Sequence, residues 1–244
     1  MRKRTITATL AIATLAAACS GTSDPSPTAT ARDATPSPTA TSSVTLQLSP
    51  SPNSVGLPDG WTRVQGDGFS IGLPDSWESI SAADVAGTDA WDQLRDANPD
   101  AEAVIDQAET AMRNGQVQMF AFDPGPRTVA SGFATNVNVI HVGDPGDEDL
   151  ATLAEQVAEA VALQVPIEGR VRTSTTTLPG GEAAVLRYDW TINTPGQGAF
   201  DVAVTQYLIV TDGDGYIVTF SGLQSDERQD RPTWEAMAVS FRFG

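Results

Sequence analysis

Three groups of residues in this 244-residue chain have the types and spacing to do chemistry. Gly68-Phe69-Ser70-Ile71-Gly72 matches G-x-S-x-G, the turn on which a hydrolase raises its nucleophilic serine. Such a serine needs a base, and His141 is the sole histidine. The motif works on a sharp strand-to-helix turn, whereas Ser70 sits in an alternating run closed by Pro74. That run reads as a strand beside a turn. His141 also lies near Asp144, Asp147 and Glu148, types that bind a divalent metal, but Asp147 fits a helix cap. Asp212-Gly213-Asp214-Gly215 opens like a calcium loop. That loop needs a third acid, glycine at the sixth place and glutamate at the twelfth, whereas Tyr216, Ile217 and Phe220 make a strand, so a hairpin turn is the better reading. The five tryptophans, Trp61, Trp77, Trp91, Trp190 and Trp234, have the chemistry to line a pocket, although aromatics more commonly fill a core. The expectation is no catalytic centre, no metal and no cofactor.

A further reactive residue is Cys19, the only cysteine. Met1-Arg2-Lys3-Arg4 is a compact positive block, and Ile6 to Ala18 is uncharged and rich in Ala, Leu, Ile and Thr. This is the grammar of a secretory leader over residues 1–18. A permanent span needs about 20 apolar residues, and this stretch is shorter. Leu15-Ala16-Ala17-Ala18-Cys19-Ser20 resembles a lipobox, with Ala16 where leucine is preferred. Small residues let a peptidase close on the backbone, and the thiol is placed to take a diacylglycerol thioether. A lone free thiol is a liability in an oxidising compartment, and a lipidated one is no longer free. Two or three acyl chains hold firmly where one holds marginally. Cys19 is therefore the expected lipidation site, and the expected partner is a membrane engaged through lipid on its extracytoplasmic face.

Charge limits the other partners. Removing Arg2, Lys3 and Arg4 with the leader leaves 11 basic side chains against 31 acidic ones, a net charge of −20. No lysine remains. Such a surface repels nucleic acid and anionic headgroups.

The elements that must carry these residues begin after a tether. Residues 20–54 are rich in Ser, Thr and Pro and nearly free of bulky hydrophobes, too few to offset the entropy of ordering. About 35 such residues reach roughly 30–35 Å as a coil and roughly 110 Å extended. Residues 56–244 suffice for one domain with a core. Trp61–Gln65 and Phe69–Leu73 form a predicted hairpin around Gly66-Asp67-Gly68. Helices are predicted through Trp91 and Leu94, over 101–114 behind Asp100, and over 148–163 behind Asp147. Glu102, Asp106 and Glu109 fall on one acidic, solvated face of the second helix. Strands are predicted at 116–122 and 133–142, then a meander at 170–178, 182–191, 200–211 and 215–222. A last helix is predicted from Pro232 to Val239. Antiparallel strands broken by helices mean α+β.

The order of these motifs resembles the Mog1/PsbP-like domains, and within them the LpqN/LpqT-type lipoproteins of actinobacteria. The residues that carry the resemblance are Gly68 to Trp77, Asn136-Val137-Asn138-Val139, Gly181 to Tyr188, Gly215 to Ser221 and Ser240-Phe241. It implies an antiparallel sheet flanked by helices, with no catalytic centre. It also implies a non-enzymatic binding or accessory domain of the cell envelope, engaging a protein or small envelope ligand. The alternatives are a serine hydrolase using Ser70 and His141, and a purely structural envelope protein.

Overall fold

The computed structural model describes residues 56–81, 89–97, 102–115, 117–143, 148–194, 198–211 and 213–244. Cys19, the leader and the tether lie outside the described residues, as do Asp100, Asp144, Asp147 and Asp212.

The chain runs β1 (Trp61–Gln65), β2 (Phe69–Pro74), β3 (Glu78–Ser81), α1 (Asp89–Ala97), α2 (Glu102–Arg113), β4 (Met119–Phe122), α3 (Pro126–Ser131) and β5 (Asn136–His141). It continues α4 (Leu150–Gln164), β6 (Ile167–Leu178), β7 (Gly181–Thr194), β8 (Gly198–Thr211), β9 (Asp214–Leu223), α5 (Glu227–Ser240) and β10 (Arg242–Phe243). A small sheet has the order β1-β2-β10, and a seven-stranded sheet has the order β3-β4-β5-β9-β8-β7-β6. Every neighbouring pair is antiparallel. The fold is α+β, as the strand and helix pattern predicts.

Alternation splits each strand between two faces. One face of the large sheet carries Val137, Val139, Val185, Tyr207, Val218 and Phe220. It is covered by the small sheet, through Phe69, Ile71 and Leu73, and by Trp234, Met237 and Ala238 of α5. The other face bears two apolar clusters, both touched by half-buried Ile140. Ile80, Phe120 and Phe122 pack with Trp91, Leu94, Ile105, Ala108 and Met112 of α1 and α2. Leu186, Tyr188, Val204, Leu208 and Ile217 pack with Ala154, Val157 and Val161 of α4.

Several elements depart from the sequence reading. α4 is capped by Asp149, whose carboxylate accepts from the Thr152 backbone and hydroxyl, both at 2.9 Å. α5 starts at Glu227, five residues before Pro232. Its first turns hold no apolar period, and they are fixed by buried Asp230, which accepts from Arg127 at 2.7 Å and Thr135 at 3.1 Å. The acidic face of α2 is not merely solvated. Arg95 of α1 reaches Asp106 at 2.8 Å and also pairs with Glu109, so the two helices are tied together.

Candidate functional site

Ser70 lies inside β2, between Gln65 of β1 and Arg242 of β10. Its hydroxyl accepts from Arg63 Nη1 at 3.2 Å, and the same nitrogen donates to the Ser240 carbonyl at 2.9 Å. A guanidinium only donates, so it cannot take the proton that a nucleophilic serine must lose. Among the described residues no non-glycine has positive φ, so the strained elbow of a hydrolase is not built here.

His141 ends β5, and its Nε2 meets the carboxylate of Asp214. Its ring lies 5.0 Å from that of Tyr216, which in turn lies 5.3 Å from Phe69. Ser70 follows Phe69 on the strand and so points to the opposite face. The structure therefore does not bring Ser70 and His141 together. Tyr216 donates to the Asp67 carbonyl at 3.0 Å, binding the first hairpin turn to β9. Burial, with the nearby Asp214 charge, pushes the Tyr216 phenol up. This cluster joins the two sheets.

Of the metal candidates beside His141, Asp144 and Asp147 lie outside the described residues. Glu148 accepts from Gln156 at 2.6 Å. Among the described residues no group of three His, Cys, Asp or Glu side chains is arranged to hold an ion. Asp214 closes the β8–β9 hairpin, paired with Thr211, as the turn reading expects. The tryptophans do not share a pocket. Trp234 of α5 is in the core between the sheets, with Trp61 and Trp77 at its margin, Trp91 of α1 packs with α2, and Trp190 lies at the α4 side.

The strand register assembles a feature that the sequence reading missed. On the face shared by α1, α2 and α4, one row across the sheet reads Leu186, Gln206, Thr219, Asn138, Phe120 and Ile80. The next row reads Tyr188, Val204, Ser221, Asn136, Phe122 and Glu78. The centre of the sheet thus carries Gln206, Thr219, Ser221, Asn136 and Asn138 side by side, all at most 3% exposed, between the two apolar clusters. Gln206 Nε2 donates to Thr219 at 3.1 Å, and Asn136 Nδ2 donates to the Ala134 carbonyl at 2.9 Å. Gln206 Oε1, Ser221 Oγ and the Tyr188 hydroxyl are buried with no hydrogen-bond partner among the described residues. Burial alone pushes the Tyr188 phenol far above its ordinary value. Leaving such a group unmade costs about 1–3 kcal/mol. Along the same face, toward the strand ends, a groove of about 510 Å³ is lined by Ala199, Phe200, Asp201, Leu223, Gln224 and Ser225. Leu223 is two residues beyond Ser221 on β9, about 6.8 Å further along the strand, and none of the polar-band side chains lines the groove. Single strands showed alternation but not which polar positions become neighbours; only the register supplies that.

No helix among the described residues is long and apolar enough to cross a membrane. No family model matches the chain, and no curated protein matches it. Solved structures do. Cyanobacterial PsbP (CyanoP) from Synechocystis sp. PCC 6803 is 14% identical, covering 80% of this chain and 98% of its own, with a TM-score of 0.46. LpqN of Mycobacterium tuberculosis, described as involved in cell envelope biogenesis, is 14% identical, covering 75% of this chain and 89% of its own, with a TM-score of 0.44. At that identity and those scores neither protein transfers a function, and the α+β class rests on this chain's own strands and helices.

Proposed function

We propose that the protein is a lipid-anchored lipoprotein of the extracytoplasmic membrane face, whose α+β domain is a non-enzymatic binding or accessory module. The observation that carries the reading is the order at the N-terminus: a basic block, a short uncharged run, small residues, and then the only cysteine, followed by a Ser/Thr/Pro-rich stretch. An anchor on such a tether holds a domain within tens of ångströms of the bilayer. Within the domain, Ser70 is held by Arg63 and points away from the face on which Phe69, Tyr216 and His141 cluster, which speaks against the hydrolase alternative. The net charge of −20 that remains once residues 1–18 are removed supports engagement of the membrane through lipid and not through the protein surface.

Fractionation of cells expressing the full chain tests this reading. Cys19→Ser is expected to move the protein from the membrane pellet to the soluble fraction. Retention of Cys19→Ser in the pellet after a high-salt wash would exclude a lipid anchor at that residue.

A further inference from the structure

The geometry points to the outer edge of β6 as a surface on which two copies of this chain pair, strand against strand, about a two-fold axis at Thr175. This pairing does not depend on the lipid anchor.

β6 ends the order of the seven-stranded sheet, and among the described residues β7 is its only strand neighbour. Pro179-Gly180 is a two-residue turn, so Leu178 and Gly181 form the closing hydrogen-bonded pair of the hairpin. Bonded and non-bonded pairs alternate back along the register from there. Leu178, Thr176, Ser174 and Arg172 thus turn their backbone groups toward β7, and Thr177, Thr175 and Thr173 turn theirs outward. β6 runs 12 residues, and the side chains of Arg172 to Thr177 are exposed on both faces. Sheet edges are normally guarded by brevity, a proline, a charge or a bulge, because a bare edge is a template for another strand. β3, at the other end of the sheet, has four residues. β6 has a bulge between Glu168 and Arg172, and no guard of any kind from Thr173 to Leu178.

The edge complements itself. Thr173-Ser174-Thr175-Thr176-Thr177 reads nearly the same in both directions. Antiparallel pairing about Thr175 sets Thr175 on its own counterpart, Thr173 on Thr177 and Ser174 on Thr176, so the outward backbone groups meet one another. Opposed threonines stabilise a strand pair. Charge permits the contact as well. An acidic surface repels a like copy, but Gly169 to Gly181 holds no acid and only two bases, Arg170 and Arg172. Arg172 falls opposite Leu178, which sets the two Arg172 backbones about 20 Å apart along the strands, well beyond a screening length of about 8 Å. Such a contact is small beside a standard interface of about 1,600 Å², so covalent trapping is the measurement that detects it.

Cysteines placed on β6 of the full chain, oxidised in cells expressing it, test the register, with the parent chain and its Cys19 as the baseline. These side chains are exposed, so the substitutions leave the packing unchanged. Hydrogen-bonded partners have Cα atoms about 5.5 Å apart, within disulfide reach. Thr175→Cys is expected to give at least about tenfold more disulfide-linked dimer than Thr173→Cys, whose two copies stand about 14 Å apart. Chains carrying Thr173→Cys, coexpressed with chains carrying Thr177→Cys, are expected to link as Thr175→Cys does. The pairing is overturned if Thr175→Cys gives no more dimer than the parent chain, as when the tether or another protein occupies the edge. Thr173→Cys linking as strongly on its own, the mark of random collision, overturns it too. So does a failure of the coexpressed chains to link.

Discussion

Asp230 shows how much a single buried group can hold. It is 4% exposed and joins α5 to α3 through Arg127 and to the strand β5 approach through Thr135. Truncation leaves Arg127 facing only Asp123 at 3.6 Å and Asp226 at 3.8 Å. Asp230→Ala is expected to cost about 3 kcal/mol in urea unfolding. A loss below about 0.5 kcal/mol would mean that the Arg127 link does not secure α5. Gly68 is a second such point. Its φ is +72°, and a Cβ there would stand 2.5 Å from the Tyr216 hydroxyl. Gly68→Ala is expected to cost about 2 kcal/mol, by left-handed strain and by loss of the Tyr216–Asp67 hydrogen bond. Thermal unfolding checks it, and an unchanged midpoint would show that the hairpin turn is not tied to β9. Ser70 teaches the complementary lesson. Its motif was legible in the sequence, and so was the reason it fails, because Pro74 forbids the helix that an elbow requires.

Among elements, the α1–α2 pair has a pH signature. Burial pushes the Glu109 carboxyl up, but hydrogen bonds from Arg113 and Arg95, with their charges, outweigh it and bring it below its ordinary value. A group depressed on folding stabilises above its unfolded pKa, about 4.3 for glutamate, and that stability is lost as pH falls through the folded value. Glu109→Gln is therefore expected to lower stability at neutral pH and to flatten its decline below about pH 4. Parallel acid limbs for the two proteins would count against the clamp. Elements whose signals are local were legible: the β6 to β9 meander through its glycine-rich turns, and α2 through its apolar stripe. β3 and α3 were not. The four residues Glu78–Ser81 are too few to show a period, and Pro126–Ser131 is a single turn and a half closed by Gly132 in the left-handed conformation. α5 was read short because Glu227–Arg231 carries no stripe, and its anchor, Asp230, binds residues about 100 positions away.

At the scale of the whole molecule, the seven-stranded sheet separates two roles. One face is closed by the small sheet and α5 into a continuous apolar core. The other is divided, with α1 and α2 at one end, α4 at the other, and a polar band between them. That division was hidden from the sequence because it depends on pairing β5 with β9, strands about 80 residues apart. The β10 pairing with β2 was hidden for the same reason. The N-terminal reading is of the opposite kind, local and wholly a matter of residue order. Mass spectrometry of the mature protein's N-terminal peptide tests it most directly. The expected peptide begins at Cys19 and carries a thioether diacylglycerol. An N-terminal peptide with an unmodified Cys19, or one that retains residues 1–18, would contradict the anchor on which the functional account stands.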